Sequence, residues 1–439
     1  MWRMAGQRDF SSYFGGIGRA LSSTNYRRYW YGHVFSAHGV WIFHVTAQWL
    51  MFHLTHSFGW LGAVGFAYLA PLFILGPVAG AVADRYGHRR TAMIAMVLGV
   101  SMSTAVGILT LSGLMTPILL LTLTAVQGIF MSFDFPSRQA LIPQLLERKN
   151  LAAAISMNGA TYYTASFTGP ALGGFVLATG NTYFGEPGGA AVAYFASAIG
   201  MACLLTALIR VQIVNPMPGR KREGAMIPAL AADIRAGIAY IMANRHLKLI
   251  LALAVAAAMM LRPFYNLMAG FSETVFHLDE QGLGNMLASA GVGALIGAVL
   301  LSIRGRTQGT TRILLLCAVG ASVSLLVFVS NSVVAVAFVA CFFAGAFIGN
   351  VGTCGTTLVQ NVVEDEYRAR VISVNLAASV GGPAFGTLAI GALAEFTGLQ
   401  VAMGIAAALV LLVLLLIGGK LLANAAGIEA DPEPVEIKS

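Results

Sequence analysis

Charge is scarce in this sequence. Asp, Glu, Lys and Arg make up 10% of its 439 residues, where a water-soluble globule carries about 25%. Cysteine is scarce too. Cys203, Cys317, Cys341 and Cys354 lie singly inside apolar runs and form no C-x-x-C pair, which argues against a disulfide framework and a thiolate metal site. No His/Cys/acid cluster stands at ligand spacing and no nucleophile sits beside a base, so neither a metal nor a cofactor is expected and the chain does not read as an enzyme. A phosphate-binding G-x-x-x-x-G-K-[ST] loop is missing, which argues against ATP-driven pumping by this chain alone. The period-2 alternation of a membrane β-barrel is missing as well. No cleavable signal peptide is expected, because a mixed polar segment precedes the first apolar run and that run is too long for a signal core.

What is present is apolar sequence in long blocks. Hydrophobic residues make up 57% of the chain, arranged in runs of about 20, the length a helix needs to cross a bilayer core. Twelve runs are legible, at 31–54, 60–83, 91–112, 117–135, 152–178, 188–211, 249–271, 283–303, 313–330, 333–354, 371–393 and 399–422. Backbone groups cannot stay unpaired in lipid, so each run is expected to be a helix. Of the 26 basic residues, 25 fall before the first run, after the last, in alternate connecting segments, or, for Arg210 and Lys420, in the last residues of the sixth and twelfth runs; the other connections carry only Glu186, Glu273, Asp279, Glu280 and Glu395. The positive-inside rule then places both termini in the cytoplasm of a multi-pass plasma-membrane protein. Topology accounts for the net charge of +8, and no nucleic-acid partner is called for. The one basic residue deep inside a run is Arg262, followed by Pro263.

The runs divide into halves. A cytoplasmic N-terminal segment (1–30) precedes a first six-helix bundle (31–211). A linker (212–248), weakly amphipathic over 227–242, leads to a second bundle (249–422), and an acidic tail (423–439), read as disordered and solvated from Glu429 onward, closes the chain. The halves echo each other. Leu145-Leu-Glu147 and Ile155-Ser-Met-Asn158 match Val362-Val-Glu364 and Ile372-Ser-Val-Asn375 at a constant offset of 217, and Gly169-Pro170-Ala-Leu-Gly173 matches Gly382-Pro383-Ala-Phe-Gly386 at 213. The expected fold is all-α and integral to the membrane: twelve transmembrane helices as two pseudo-symmetric six-helix bundles, a plan common among transporters.

Gly80-Ala-Val-Ala-Asp84-Arg85-Tyr-Gly87-His-Arg89-Arg90, between the second and third runs, resembles the loop signature of the major facilitator superfamily at every defined position. Asn25-Tyr-Arg-Arg-Tyr-Trp30, Phe133-Asp-Phe-Pro-Ser-Arg-Gln-Ala-Leu-Ile-Pro143 and Gln360 with Glu364-Asp-Glu-Tyr-Arg-Ala-Arg-Val-Ile-Ser373 are similar to the enterobactin-exporter and macrolide-efflux branch, whose home is the bacterial inner membrane. The resemblance implies a cytoplasmic latch in which Asp84 caps the helix beginning near 368–371 and Arg85 pairs with Asp134. Arg89 and Arg90 read equally well as topology determinants. Leu301 stands where the second half would carry the matching acid, so any latch is asymmetric. Gly169-Pro170-Ala-Leu-Gly173-Gly174 resembles an exporter signature, but Ser156 and Ala165 replace its two earlier glycines. A plain packing motif is the alternative.

Span one carries His33, His38, Trp41, His44 and Gln48 within about 140° of helical arc, the face a helix turns from lipid. These residues and Arg262 are the expected cavity wall, with interhelical bracing as the alternative for each. No Asp or Glu sits at the centre of any run, so proton coupling is implied by the resemblance and not by a visible carrier; Asp134 and the histidines are the candidates. The resulting expectation is a monomeric secondary transporter in contact with membrane lipid, exporting amphipathic small organic compounds by alternating access. An uptake permease, a lipid mover or a non-transporting scaffold are the alternatives.

Overall fold

A computed structural model describes residues 18–186, 188–214, 226–304 and 306–430. The expectations for the first seventeen residues, for the basic run at 220–222 and for the end of the tail lie outside them. Regular structure among the described residues is entirely helical. The helices are α1 (Thr24–Thr55), α2 (Phe58–Tyr86), α3 (His88–Leu111), α4 (Pro117–Leu141), α5 (Leu151–Phe184), α6 (Gly188–Arg210), α7 (Met226–Ala243), α8 (Arg245–Met260), α9 (Pro263–Thr274), α10 (Glu280–Arg304), α11 (Thr310–Val329), α12 (Val334–Val362), α13 (Asp365–Thr397), α14 (Leu399–Ala423) and α15 (Ala425–Glu429).

Ten helical stretches among the described residues are long and apolar enough to span a membrane. The two other runs lie in α1 and α5, which have 32 and 34 residues but carry the imidazoles and hydroxyls that lower their hydropathy. The seventh run is one span made of two helices. Pro263 has no N–H to give the Met259 carbonyl, so α8 ends at Met260 and α9 starts on the proline, where that missing donor costs nothing.

The chain forms two compact units, one of residues 1–46, 74–115 and 126–222, the other of 47–73, 116–125 and 223–439. Three of the boundaries fall inside α1, α2 and α4. In the first unit α6 packs against α1 and α3 through glycine: a Cβ on Gly39 would lie 2.7 Å from the Ser197 carbonyl oxygen, and one on Gly107 would lie 2.9 Å from the Phe195 ring. Such contacts bring backbones close enough for dispersion to hold helices together where lipid offers no hydrophobic drive. In the second unit Gly293 of α10 and Gly345 of α12 each seat against the other helix's backbone, at Phe342 and Ala290.

Positions matched between the two halves of the sequence have similar local structure. Glu147 and Glu364 enter their helical segments with matching torsions, φ −67°, ψ 147° and φ −64°, ψ 148°. Gly169 of α5 packs on Trp41 of α1 in the first unit, and Gly382 of α13 packs on Ala258 of α8 in the second.

The tail departs from the solvated reading at its first residue. Glu429 ends α15 and accepts from the backbone amides of Gly309 (2.5 Å) and Thr311 (2.7 Å) at the N-terminus of α11. Asn361 of α12 holds the same turn through the carbonyls of Ile428 and Ala430. A carboxylate at a helix N-terminus meets unpaired N–H groups and the positive end of the dipole. Burial works to raise the Glu429 carboxyl, but the hydrogen bonds from Thr311 and the Gly309 amide outweigh it and hold the group below its ordinary value. A depressed folded value gives stability that is present above the ordinary range, about 4.3, and is lost as pH falls through the folded value. The melting temperature of Glu429→Gln should therefore lie below that of the native chain at pH 7, and the gap should close on acidification; a constant gap would show that the carboxylate charge is irrelevant to the cap.

Candidate functional site

Span one places its polar residues where the sequence pattern puts them, but most are already engaged. His38 sets Nδ1 2.7 Å from the Val34 carbonyl and Nε2 2.7 Å from Thr168 Oγ1 on α5. The Trp41 ring lies 6.0 Å from His44, edge to face, and 6.3 Å from Tyr162, while its indole N–H is buried without an acceptor among the described residues. Tyr162 also meets Phe135 at 6.4 Å. Both of these rings are exposed, so α1, α4 and α5 present an aromatic wall with one unused donor.

Beneath that wall lies a buried charge cluster. Asp134 pairs with Arg138 at 2.5 Å, one turn further along α4. Arg138 Nη1 donates to His33 Nδ1 at 2.9 Å, which leaves the imidazole proton on Nε2. Tyr29 stacks on the same ring, centroids 5.9 Å apart. The Asp134 partner in this structure is thus Arg138 and not Arg85. The i, i+4 spacing of Asp134 and Arg138 is the signal that identifies this pair in the sequence.

The signature loop distributes its residues differently from a single latch. Gly87 is required by its backbone: it precedes α3 with φ 93°, a region closed to most side chains. Gly80 faces open space. Asp84 is exposed and lies 3.5 Å from His88, and Arg85 lies over its neighbour Tyr86. Arg89 donates from Nε to the Leu208 carbonyl and from Nη2 to that of Ile209, both at 2.8 Å, closing the C-terminal turn of α6 as a cation does best. Arg90 is exposed.

The proline signatures make packing surfaces. Pro170 lies inside an unbroken α5, with Gly173 and Gly174 buried beside it. Pro383 lies inside α13 and has no N–H for the carbonyl four residues earlier, that of Ser379. Arg262 supplies the missing donor: Nη1 reaches the Ser379 oxygen at 2.8 Å. The reciprocal carbonyl, Met259, orphaned by Pro263, faces Gly386. Arg262 therefore braces two proline-interrupted spans while the rest of its side chain is exposed.

Gln48 leads to residues that composition alone does not reveal. Its Nε2 donates to Asn266 Oδ1 (3.1 Å), Asn266 Nδ2 donates to Thr387 Oγ1 (2.9 Å), and Thr387 donates to the Pro383 carbonyl (2.6 Å). This buried relay joins α1, α9 and α13. Gly62 of α2 seats on the Thr387 carbonyl and on Gly391. At the acid-bearing end, Glu395 accepts from Ser57 Oγ and the Gly59 amide, both at 2.9 Å, and so caps α2 from α13. His56 meets Glu273 at 3.4 Å in an exposed pair that adds little. The ends of α1 and α2 are thereby knitted to α9 and α13.

Two outcomes follow. Arg262→Ala should lower the melting temperature, and Pro383→Ala, which restores the N–H, should relieve that loss: thermal unfolding of the singles and the double should give a coupling of about 1 kcal/mol, with additivity excluding the brace. Asn266→Ala breaks the relay at its centre, removing the acceptor of Gln48 Nε2 and the donor to Thr387 Oγ1, a cost of about 1–3 kcal/mol. Thiol labelling of a Cys placed at the buried Ala269 should rise about ten-fold in that variant, whereas unchanged labelling would mean the relay does not hold the seam shut.

Comparison with known proteins agrees with this architecture. Residues 19–433 match the family described as transmembrane secretion effector. The staphyloferrin A transporter of Staphylococcus aureus is 23% identical over 340 residues, covering 76% of this chain and 81% of that protein. The multidrug efflux pump Tap of Mycobacterium tuberculosis is 23% identical over 368 residues, covering 81% and 84%. Among solved structures, a bacterial homologue of the human lysosomal transporter Spinster, inward-facing and unoccupied, superposes with a TM-score of 0.70 at 15% identity over 97% of this chain and 98% of its own. The nucleoside transporter NupG gives 0.69 at 11% over 90% and 98%. At these identities the structures speak for the fold.

Proposed function

The chain belongs to the transmembrane secretion effector family of the major facilitator superfamily, and from that membership we propose that this secondary transporter exports amphipathic small organic compounds by alternating access. The observation that carries the reading is the seam of α1 and α2 with α9 and α13. Its polar part is a relay of three side chains and a carboxylate cap, and its apolar part is glycine contact. Such a seam is closed in this structure and is built of few, exchangeable bonds, as a gate requires. The aromatic wall of Trp41, Tyr162 and Phe135 supports a ring-bearing, partly apolar substrate over a sugar, which needs many polar partners. The names of the staphyloferrin and multidrug relatives support a small organic substrate.

In this reading both termini are cytoplasmic, the two six-helix halves rock about the substrate, and Asp84 and Arg85 act when the cytoplasmic side closes. Asp134 would then exchange Arg138 for Arg85. Uptake by the same fold is the second reading, and the staphyloferrin relative, whose name gives no direction, keeps it open.

Reconstitution decides between them. Proteoliposomes with an imposed proton gradient should show outward movement of compounds from a panel of siderophores and hydrophobic dyes, and Arg85→Asp with Asp134→Arg should recover part of the flux that each change alone removes. Gradient-driven accumulation in the opposite sense would replace export by uptake, and no flux of any compound would leave a non-transporting protein. In intact cells a Cys at Glu280 should react with an impermeant reagent and one at Lys248 should not; the reverse pattern would invert the topology.

A further inference from the structure

The linker helix α7 uses one face and leaves another uncovered. Gly237 sits against the Arg370 carbonyl, Tyr240 stacks on Tyr367 with centroids 4.3 Å apart and rings nearly parallel, and Ile241 is buried. These three residues fasten α7 to the start of α13. A second stripe, at i, i+4 and i+8, points away from that contact by about 110° of arc. It is made of Ile234, Ile238 and Met242, which are 38%, 47% and 59% exposed. A soluble helix turns such residues inward.

Three further observations say what covers the stripe. First, α7 runs with a single intervening residue, Asn244, into α8. The Asn244 side chain caps α8 by accepting from the amides of His246 and Leu247. The helix that follows is the first half of a membrane span, so α7 lies at the level where that span leaves the bilayer. Second, exposed cations stand close to the stripe along the chain: Arg235 borders it on α7, and Arg245 and Lys248 follow on the first turn of α8. Third, the sequence before α7 carries Arg220, Lys221 and Arg222. An apolar stripe bordered by cations, on a helix tethered at a bilayer edge, has the chemistry of a segment lying in the headgroup layer.

We propose that α7 is an interfacial helix whose Ile234–Ile238–Met242 stripe inserts into the leaflet at the basic end of the protein and whose Arg235, Arg245 and Lys248 engage anionic phospholipid headgroups. Because Tyr240 and Gly237 tie α7 to α13, lipid bound there bears directly on the base of a span that carries Pro383 and the seam. The inference rests on the chain being membrane-spanning and is independent of the transported compound.

The test measures depth, not flux, so its failure and the failure of the transport reading are separable. The four native cysteines are replaced by serine, and nitroxides are placed singly at Ile238 and at Ala239, which lies beyond the stripe. The full chain is embedded in nanodiscs of phosphatidylcholine alone or with phosphatidylglycerol. Collision rates with oxygen and with a water-soluble nickel chelate are then compared. The Ile238 label should favour oxygen and the Ala239 label the chelate. Phosphatidylglycerol should deepen the Ile238 label, and Arg235→Gln, Arg245→Gln and Lys248→Gln combined should remove that effect, each charge weakening the association about five-fold. Equal chelate access at both positions would overturn the insertion. Shielding of Ile238 from both reagents would assign the stripe to a protein partner or a second copy instead. A depth indifferent to phosphatidylglycerol would overturn the anionic recognition.

Discussion

A carbonyl at membrane depth that loses its helical partner has to find another donor inside the protein. The seam of α8, α9 and α13 is organised around that constraint. Pro263 and Pro383 each release one carbonyl, at Met259 and Ser379, and both released groups face the opposing span. The Ser379 group receives the guanidinium of Arg262 as its donor, and the Met259 group lies against the bare backbone of Gly386. The break at residues 261–262 then frees α9 to place Asn266 in the relay, Gly270 against Phe58, and Glu273 at the acid-bearing end. Without the brace, the interruption would be a defect. With it, a short half-helix is held by contacts that can be exchanged.

The same accounting separates the two kinds of charge in the molecule. Arg89, Arg262 and Glu429 all serve helix backbone, closing α6, bracing α13 and capping α11. Asp134 and Arg138 serve each other, with His33 and Tyr29 completing the cluster. A buried ion pair contributes little net stability, since desolvation offsets attraction.

Much of the fold was legible because lipid imposes a length and a sidedness on every span. Run lengths give the helices, the distribution of arginine gives the expected orientation, and Gly-Pro repeats give the internal duplication. Individual side-chain partners were less legible. Arg262 reads as a cavity residue because a lone cation in an apolar run suggests a ligand; that it answers the carbonyl released by a proline 121 positions later depends on two spans meeting. Asn266 is one amide among apolar neighbours and acquires meaning only through Gln48 and Thr387. Arg138 was visible at four residues from Asp134, and the superfamily's loop signature drew the pairing toward Arg85 instead. Glu429 was hidden by composition, since an acidic segment rich in proline reads as solvated while its first residue is folded into a cap.

That cap has a bearing on assembly. The carboxylate that completes α11 lies 120 residues downstream of Gly309, with α12, α13 and α14 between. During synthesis α11 therefore enters the membrane with its first amides bare, and its final partner arrives only after three more spans have been threaded. An odd number of missed crossings among those three would leave Glu429 on the wrong face of the bilayer. Closure of the cap thus requires that the start of α11 and the end of α14 finish on the same face of the bilayer, and a chain that fails it would leave the first amides of α11 without their carboxylate.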